Sequence, residues 1–403
     1  MLSRCIAVDP AEFAEQYWGR RPLLSRSGAL PRDFADLLSS SMVDELIAER
    51  GVRAPFIRMA KAGDVLARNC YLDSAGFGAE MPDQVDSGKV LGEFAAGATI
   101  VLQGLHRLWP PMIEFVRGMV DDLGHPVQAN AYVTPPSQTG FETHYDVHDV
   151  FVLQTCGQKR WIVHAPVHEH PLPSQPWTDH RTAIARRAGE EPVIDTVLSA
   201  GDALYLPRGW VHSAHALDTT SIHLTVGVSA VTRLDVLQAV VDTLTTAADF
   251  RASLPLGIDA TNRDDMMATA SKIMAEAIAT MRDSAAELSE SAAQRLSRRH
   301  ADRTRPVAVR PLATLEATEH ADTVTVRWRH GLVGSVEDRD GSVVLRLPDR
   351  TITFPESCAP AVEALHHGAV GRADSLPGLD RADGAVLIRR LLREAVVVPV
   401  SGG

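Results

Sequence analysis

The stretch GFETHYDVHDVFVLQTCGQKRWIVH (140–164) places two histidines and two aspartates between His144 and Asp149, then runs into apolar residues at strand length. Along a strand successive side chains point to opposite faces, so His144 and Asp146 share a face while Asp149 points the other way. An HxD pair at the edge of a β-barrel can offer an imidazole nitrogen and a carboxylate oxygen to one ion. His148 formally shares that face, but three ligands in a row on one strand spread over ~13 Å, too far for one ion with bonds near ~2 Å. A further ligand must come from elsewhere. In LPRGWVH (206–212) a Pro-Arg-Gly turn delivers His212 into another strand. His144, Asp146 and His212 together form a 2-His-1-carboxylate set, which leaves three positions open on non-haem Fe(II). HxD pairs also arise by chance, and the alternative is that His144 is a turn residue and Asp146 a strand cap.

The surroundings favour the metal. Lys159 follows in GQKRW, on the next strand if a hairpin turns at Thr155-Cys156-Gly157. A buried lysine facing a cavity requires an anion. The distal carboxylate of 2-oxoglutarate supplies one while its keto-acid end chelates iron. A surface lysine beside a hairpin turn is the plainer alternative.

Bulk properties set the limits. A chain of 403 residues is long for one domain, so two or three are expected. Its 45% hydrophobic and 23% charged content are those of an ordinary globular protein. The net charge of -11 argues against general affinity for nucleic-acid phosphate. Cys5, Cys70, Cys156 and Cys358 form no CxxC pair, which fits a reducing cytosol. The N-terminus lacks a signal-peptide core and no apolar run reaches membrane-spanning length, so a cytoplasmic protein is expected.

Three textures follow one another. Up to about residue 230, β-rich segments such as GATIVLQGL (97–105) and GDALYLPRGWVHSAHA (201–216) alternate apolar and polar residues between turn signals. From Thr232 to about Arg299 the apolar spacing becomes helical, with a stripe of Met266, Ala270, Ile273, Met274, Ala277 and Met281. The last hundred residues hold a hairpin turning at Pro348-Asp349, two helices and a final apolar strand.

NAYVTPPSQTGFETHYDVHDVFVLQTCGQKRWIVH (130–164) resembles the core motif of the JmjC-type ribosomal oxygenases of the cupin superfamily, which hydroxylate ribosomal proteins. The resemblance extends to FAEQYWGRRPLL, GATIVLQGLHRLWPPM, LPRGWVHSAHALDTTSIHLTVGV and PGLDRADGAVLIRRLLREAVVVP, nearly the whole chain. It implies a mainly β plus α fold: a double-stranded β-helix (cupin/JmjC) oxygenase domain over 1–231, a helical dimerisation region over 232–302, and a winged-helix-like domain over 303–403. It also implies a homodimer. A winged helix that does not bind DNA accords with residues 301–403, which carry 13 Arg, no Lys and 14 Asp/Glu.

Carried over by position, the resemblance assigns iron to His144, Asp146 and His212. It gives the 2-oxoglutarate carboxylate to Lys159 with Tyr132, and places Asn130 in the wall of the iron pocket; a polar cap at a strand start is the other reading of Asn130. His148, His164, His215 and His223 are expected to be structural or supporting, with His223 the one facing the barrel interior. Many relatives read HYDDHDVF where this chain has HYDVHDVF, so Val147 is expected to alter substrate contacts and leave iron binding intact. The implied function is Fe(II)-, 2-oxoglutarate- and O2-dependent hydroxylation of an arginine or histidine side chain in a ribosomal protein. The same chemistry on a peptide or small metabolite is the second expectation, and a non-enzymatic metal-binding cupin, without membrane association, the third.

Overall fold

The computed structural model describes residues 1–403 except Ala62, Ala79, Thr139–Phe141, Asp340 and Ser401–Gly403. The chain divides into two compact units, Met1–Ala230 and Val231–Gly403.

The strands of the first unit's two larger sheets, in chain order, begin with β1 (Leu23–Ser25), β2 (Ile57–Lys61), β3 (Asp64–Val65), β4 (Thr99–Leu102), β5 (Val127–Thr134) and β6 (Asp149–Cys156). There follow β7 (Gln158–His164), β8 (Ile194–Ser199), β9 (Ala203–Leu206), β10 (Val211–Ala216) and β11 (Ser221–Val228). Eight of them make one antiparallel sheet in the order β1-β9-β6-β11-β5-β4-β2-β3, and β8-β7-β10 make a second. Alternation decides which side chains meet. In β5 and β11 the residues Ala129, Ala131, Val133, Leu224 and Val226 enter the main core, beside helix α1 (Pro110–Leu123). The intervening Gln128, Asn130, Tyr132, His223 and Thr225 line an interior cavity. Strand β6 is apolar on both faces because it is covered on both. Phe151 and Leu153 join the main core, while Val150 and Val152 meet Trp161 and Val163 of the second sheet.

The expected hairpin between β6 and β7 does not form. These strands belong to different sheets, and the chain crosses from one to the other at Gly157. Gly157 has φ +65°, and a Cβ there would stand 2.1 Å from the Thr220 carbonyl oxygen. Only glycine fits such a corner.

In the second unit, α2 (Arg233–Thr243) starts at a capping box of Thr232 and Asp235, and α3 (Arg263–Asp283) is capped by Asn262. Helix α4 (Ala285–Thr304) follows. No residue of α3 is buried, and Met267, Ile273, Met274 and Ile278 are exposed. The remainder builds its own core from α5 (Pro311–Glu319), α6 (Ala359–His366), α7 (Arg381–Arg393) and short strands. One of its three-stranded sheets carries the turn at Pro348-Asp349, between Ser342–Arg346 and Thr351–Pro355.

Candidate metal centre and its cavity

His144 and Asp146 do not lie on a regular strand, as the spacing argument supposed; β6 opens only at Asp149. His144 instead makes an isolated antiparallel bridge to His212. His144 N donates to His212 O at 3.1 Å, and His212 N returns the bond to His144 O at 2.8 Å. Gly209 N donates to Asp146 O at 2.9 Å, so the Pro-Arg-Gly turn is tied to the HxD segment through backbone alone. The bridge sets the two imidazoles 4.5 Å apart, centroid to centroid. His212 Nε2 lies 3.8 Å from Asp146 Oδ2, and one donor atom from each of the three residues falls within 4.8 Å of the others. Donors bonded at ~2.1 Å to one ion lie about 3–4 Å apart, so small side-chain rotations close the set.

The tautomers suit ligation. His144 Nδ1 lies 2.7 Å from Glu142 O and His212 Nδ1 lies 3.0 Å from Trp210 O. A carbonyl only accepts, so each Nδ1–H donates and each Nε2 presents its lone pair. Burial, reinforced by His144, pulls His212 down to about 4, which keeps it neutral at pH 7. For Asp146 burial opposes ionisation, but His148, His144 and His212 outweigh it and hold the carboxyl below its usual range. Two imidazoles, each presenting Nε2, and one carboxylate on one side of a cavity fit a divalent iron ion.

Deeper in, β7 turns Lys159, Trp161 and Val163 inward and Arg160 outward, where Arg160 makes a paired bond to Asp195 at 2.6 and 2.7 Å. Lys159 is 3% exposed, and its Nζ donates to Thr134 Oγ1 at 3.0 Å. Burial pulls its ammonium down to about 7. Among the described residues no carboxylate pairs with it. A buried cation without a counter-ion is unfavourable unless a ligand supplies the negative charge, so this residue fits a dicarboxylate. Tyr132 lies on the cavity wall, where burial, then the charge of Asp146, raises its phenol. Asn130 lines the cavity from the middle of β5 and accepts from Gly104 N at 3.0 Å, so it is not a strand cap.

One cavity of about 400 Å³ therefore brings together His144, Asp146, His212, Lys159, Tyr132 and Asn130. His148 and His223 line it too; His164 and His215 are not among its lining residues. Val147 packs with Tyr145, Ile184 and Val211. An adjoining pocket that shares Tyr132, His144 and Asp146 is lined also by Asp64, Glu142, Trp177 and Arg181. Arg181 stacks over Trp177 at 4.3 Å and reaches Glu142 at 3.4 Å. Two segments border this region, 136–143 and 174–190. Segment 174–190 supplies Trp177 and Arg181; within 136–143, Thr139–Phe141 lie outside the described residues.

Sequence reasoning missed two residues. Asp149 is 1% exposed and accepts from Tyr205 Oη at 3.0 Å and from the Arg208 guanidinium at 3.4 Å. It joins the start of β6 to the turn that carries His212. The signal was an acid and a base beside the two ligand stretches. Gln128 was also missed, although it stands two residues before Asn130 on the same face.

Comparison with known proteins agrees with this geometry. Residues 111–236 match the JmjC domain family. The chain is similar to "Ribosomal oxygenase 1" of Gallus gallus, 31% identical over 224 residues, covering 54% of this chain and 34% of that protein. It is similar to "Bifunctional lysine-specific demethylase and histidyl-hydroxylase NO66" of Drosophila persimilis, 30% identical over 234 residues, covering 56% and 31%. It thus spans about a third of the length of these relatives. In fold it is similar to the Escherichia coli ribosomal oxygenase YcfD, at 17% identity and a TM-score of 0.53 over 98% of both chains. A YcfD structure in complex with cobalt and 2-oxoglutarate matches at 16% identity and a TM-score of 0.53 over 99% of both chains. The chain thus carries a JmjC domain match over residues 111–236 and shares its fold with YcfD.

Proposed function

We propose that this protein is an Fe(II)- and 2-oxoglutarate-dependent oxygenase that hydroxylates an arginine or histidine side chain of a ribosomal protein. One observation carries the reading: the His144, Asp146, His212 set and the uncompensated Lys159 ammonium share a single cavity. Iron, when bound with 2-oxoglutarate and O2, supplies the oxidising power to hydroxylate an unactivated C–H bond as 2-oxoglutarate is converted to succinate and CO2. The protein's part is positional. His144, Asp146 and His212 would hold the ion, a ligand set that is compatible with binding of cosubstrate and O2. Lys159 and Tyr132 take the distal carboxylate, Asn130 shapes the pocket wall, and the apolar residues Val150, Val152 and Trp161 keep water out.

The regions assigned from the resemblance belong to the same proposal. Residues 1–231 are the oxygenase domain, 232–302 pair two copies through the exposed face of α3, and 303–403 form a winged-helix-like domain without a DNA-binding role. The protein acts in the cytoplasm. No helix among the described residues is long and apolar enough to cross a membrane.

Two measurements test the function. Purified protein with Fe(II), O2 and labelled 2-oxoglutarate should release succinate, and absence of release overturns the enzymatic reading in favour of a metal-binding cupin. Ribosomal proteins from cells lacking the gene should then lose a 16 Da increment on one arginine or histidine. Unchanged ribosomal proteins alongside active succinate release would point to a peptide or small metabolite.

A further inference from the structure

We propose that His223 is a cosubstrate-binding residue whose Nε2–H donates to the same distal carboxylate that neutralises Lys159. The proposal rests on the reading of this cavity as a 2-oxoglutarate site. His223 is 4% exposed and forms part of the cavity wall. Its ring lies flat against Tyr132, with centroids 5.1 Å apart and planes 4° from parallel. Trp161 abuts it edge-on at 5.5 Å and 86°. Held between two aromatic rings, the imidazole keeps one plane. The backbone is adapted at the same place. The register of β11 against β6 slips between Ile222 and His223, where Cys156 and Gln154 become successive partners and Thr155 is left over. An extra residue of this kind re-aims the neighbouring side chains, and such bulges occur beside binding sites.

The proton's position follows from the surroundings. Burial, together with the neighbouring Lys159 ammonium, holds His223 well below its usual range, so the ring is neutral and carries a single N–H. Nδ1 is sealed from solvent with no acceptor. A proton there would be a buried donor without a partner. It therefore resides on Nε2. Beside a buried ammonium that lacks an anion, a neutral donor completes a cradle for a carboxylate: a second imidazolium would repel Lys159, whereas an N–H adds a bond without adding charge.

The test uses full-length protein loaded with Mn(II), titrated calorimetrically with 2-oxoglutarate and with pyruvate, which keeps the keto acid and lacks the distal carboxylate. His223→Phe retains the ring stack and removes the donor. It should weaken 2-oxoglutarate about tenfold, the worth of one hydrogen bond to a charged group, and leave pyruvate unchanged. His223→Gln, which keeps an N–H, should recover part of the loss. If the Phe variant does not melt cooperatively, His223→Leu takes its place. Equal weakening of both ligands, or unchanged 2-oxoglutarate affinity, overturns the proposal. Failure of the unmodified protein to bind 2-oxoglutarate would instead overturn the functional reading, and this assignment with it.

Discussion

The two units bury different kinds of polar group. Among the described residues, the first buries Arg4, Lys159, Asp149, Asp202, His164, His212 and His223, along with several hydroxyls and one amide. The second buries only Thr243, Thr314 and Thr318 as polar residues. Thr243 and Thr318 donate to backbone carbonyls of their own helical segments, Val240 O and Leu315 O. A hydroxyl satisfied one turn away costs little and reports packing. A buried ammonium beside a hydroxyl alone costs much more, and is retained only where something outside the chain repays it. The surfaces differ in the opposite sense, for the second unit leaves a whole helix, α3, without a buried residue. The first unit is incomplete on the inside and the second on the outside.

The sharpest break of that contrast is at the candidate metal ligands. His144→Ala, Asp146→Ala and His212→Ala should each abolish 2-oxoglutarate turnover and weaken Mn(II) binding more than a hundredfold by calorimetry. Cooperative melting should persist. A His212→Ala variant with normal metal content would move the third ligand elsewhere, with His215 the next to try.

Lys159 comes next. Lys159→Ala should raise the 2-oxoglutarate requirement about tenfold to a hundredfold, as expected for a charge-assisted bond of about 1.5–3 kcal/mol, with metal affinity nearly intact. An unchanged requirement would show that the anion is held elsewhere. The residue also gives a pH signature. Its ammonium is pulled down to about 7 from an ordinary 10.5. Between these values the unfolded chain binds more protons than the folded one, so the stability of ligand-free protein should rise with pH from about 7 to 10.5. Lys159→Met should flatten that rise, measured as melting temperature against pH for the two proteins.

Arg208→Ala has a smaller effect. It removes one partner of buried Asp149 and should cost about 1–3 kcal/mol in chemical denaturation. Metal affinity should fall as well, because the turn bearing His212 loosens; a stability loss with unaltered metal binding would limit the pair to folding. The mildest outcome belongs to the second unit. Met274→Glu with Ile278→Glu should convert a dimer into a species near 43.6 kDa by sedimentation, with Mn(II) affinity unchanged. A monomer in the unmodified protein would leave α3 as a surface of other use.

The candidate ligand residues were readable because each sits in a short motif, an HxD and a PRGWVH, whose side chains need only local geometry to be recognised. Asn130 and Tyr132 came from the family resemblance and not from spacing, and the structure places both with Lys159 on one cavity wall. The sheet change at Gly157 was not readable. A tight turn between two apolar runs looks alike whether the second strand returns beside the first or crosses to another sheet; the distinction rests on the Thr220 carbonyl, far along the chain. The bridge between His144 and His212 was hidden likewise, since nothing local marks a pairing across such a separation. Asp149 and Arg208 were visible as charges and invisible as a pair.

That bridge has a consequence for how the ion arrives. The three backbone hydrogen bonds joining the HxD segment to the Pro-Arg-Gly turn involve no metal. Chelator-treated protein should therefore keep its ligand loops docked, and the amides of His144, Gly209 and His212 should exchange slowly with deuterated solvent whether or not the ion is present. Loading then requires only that the ion shed water and that side chains rotate, and its rate should be indifferent to mild denaturant.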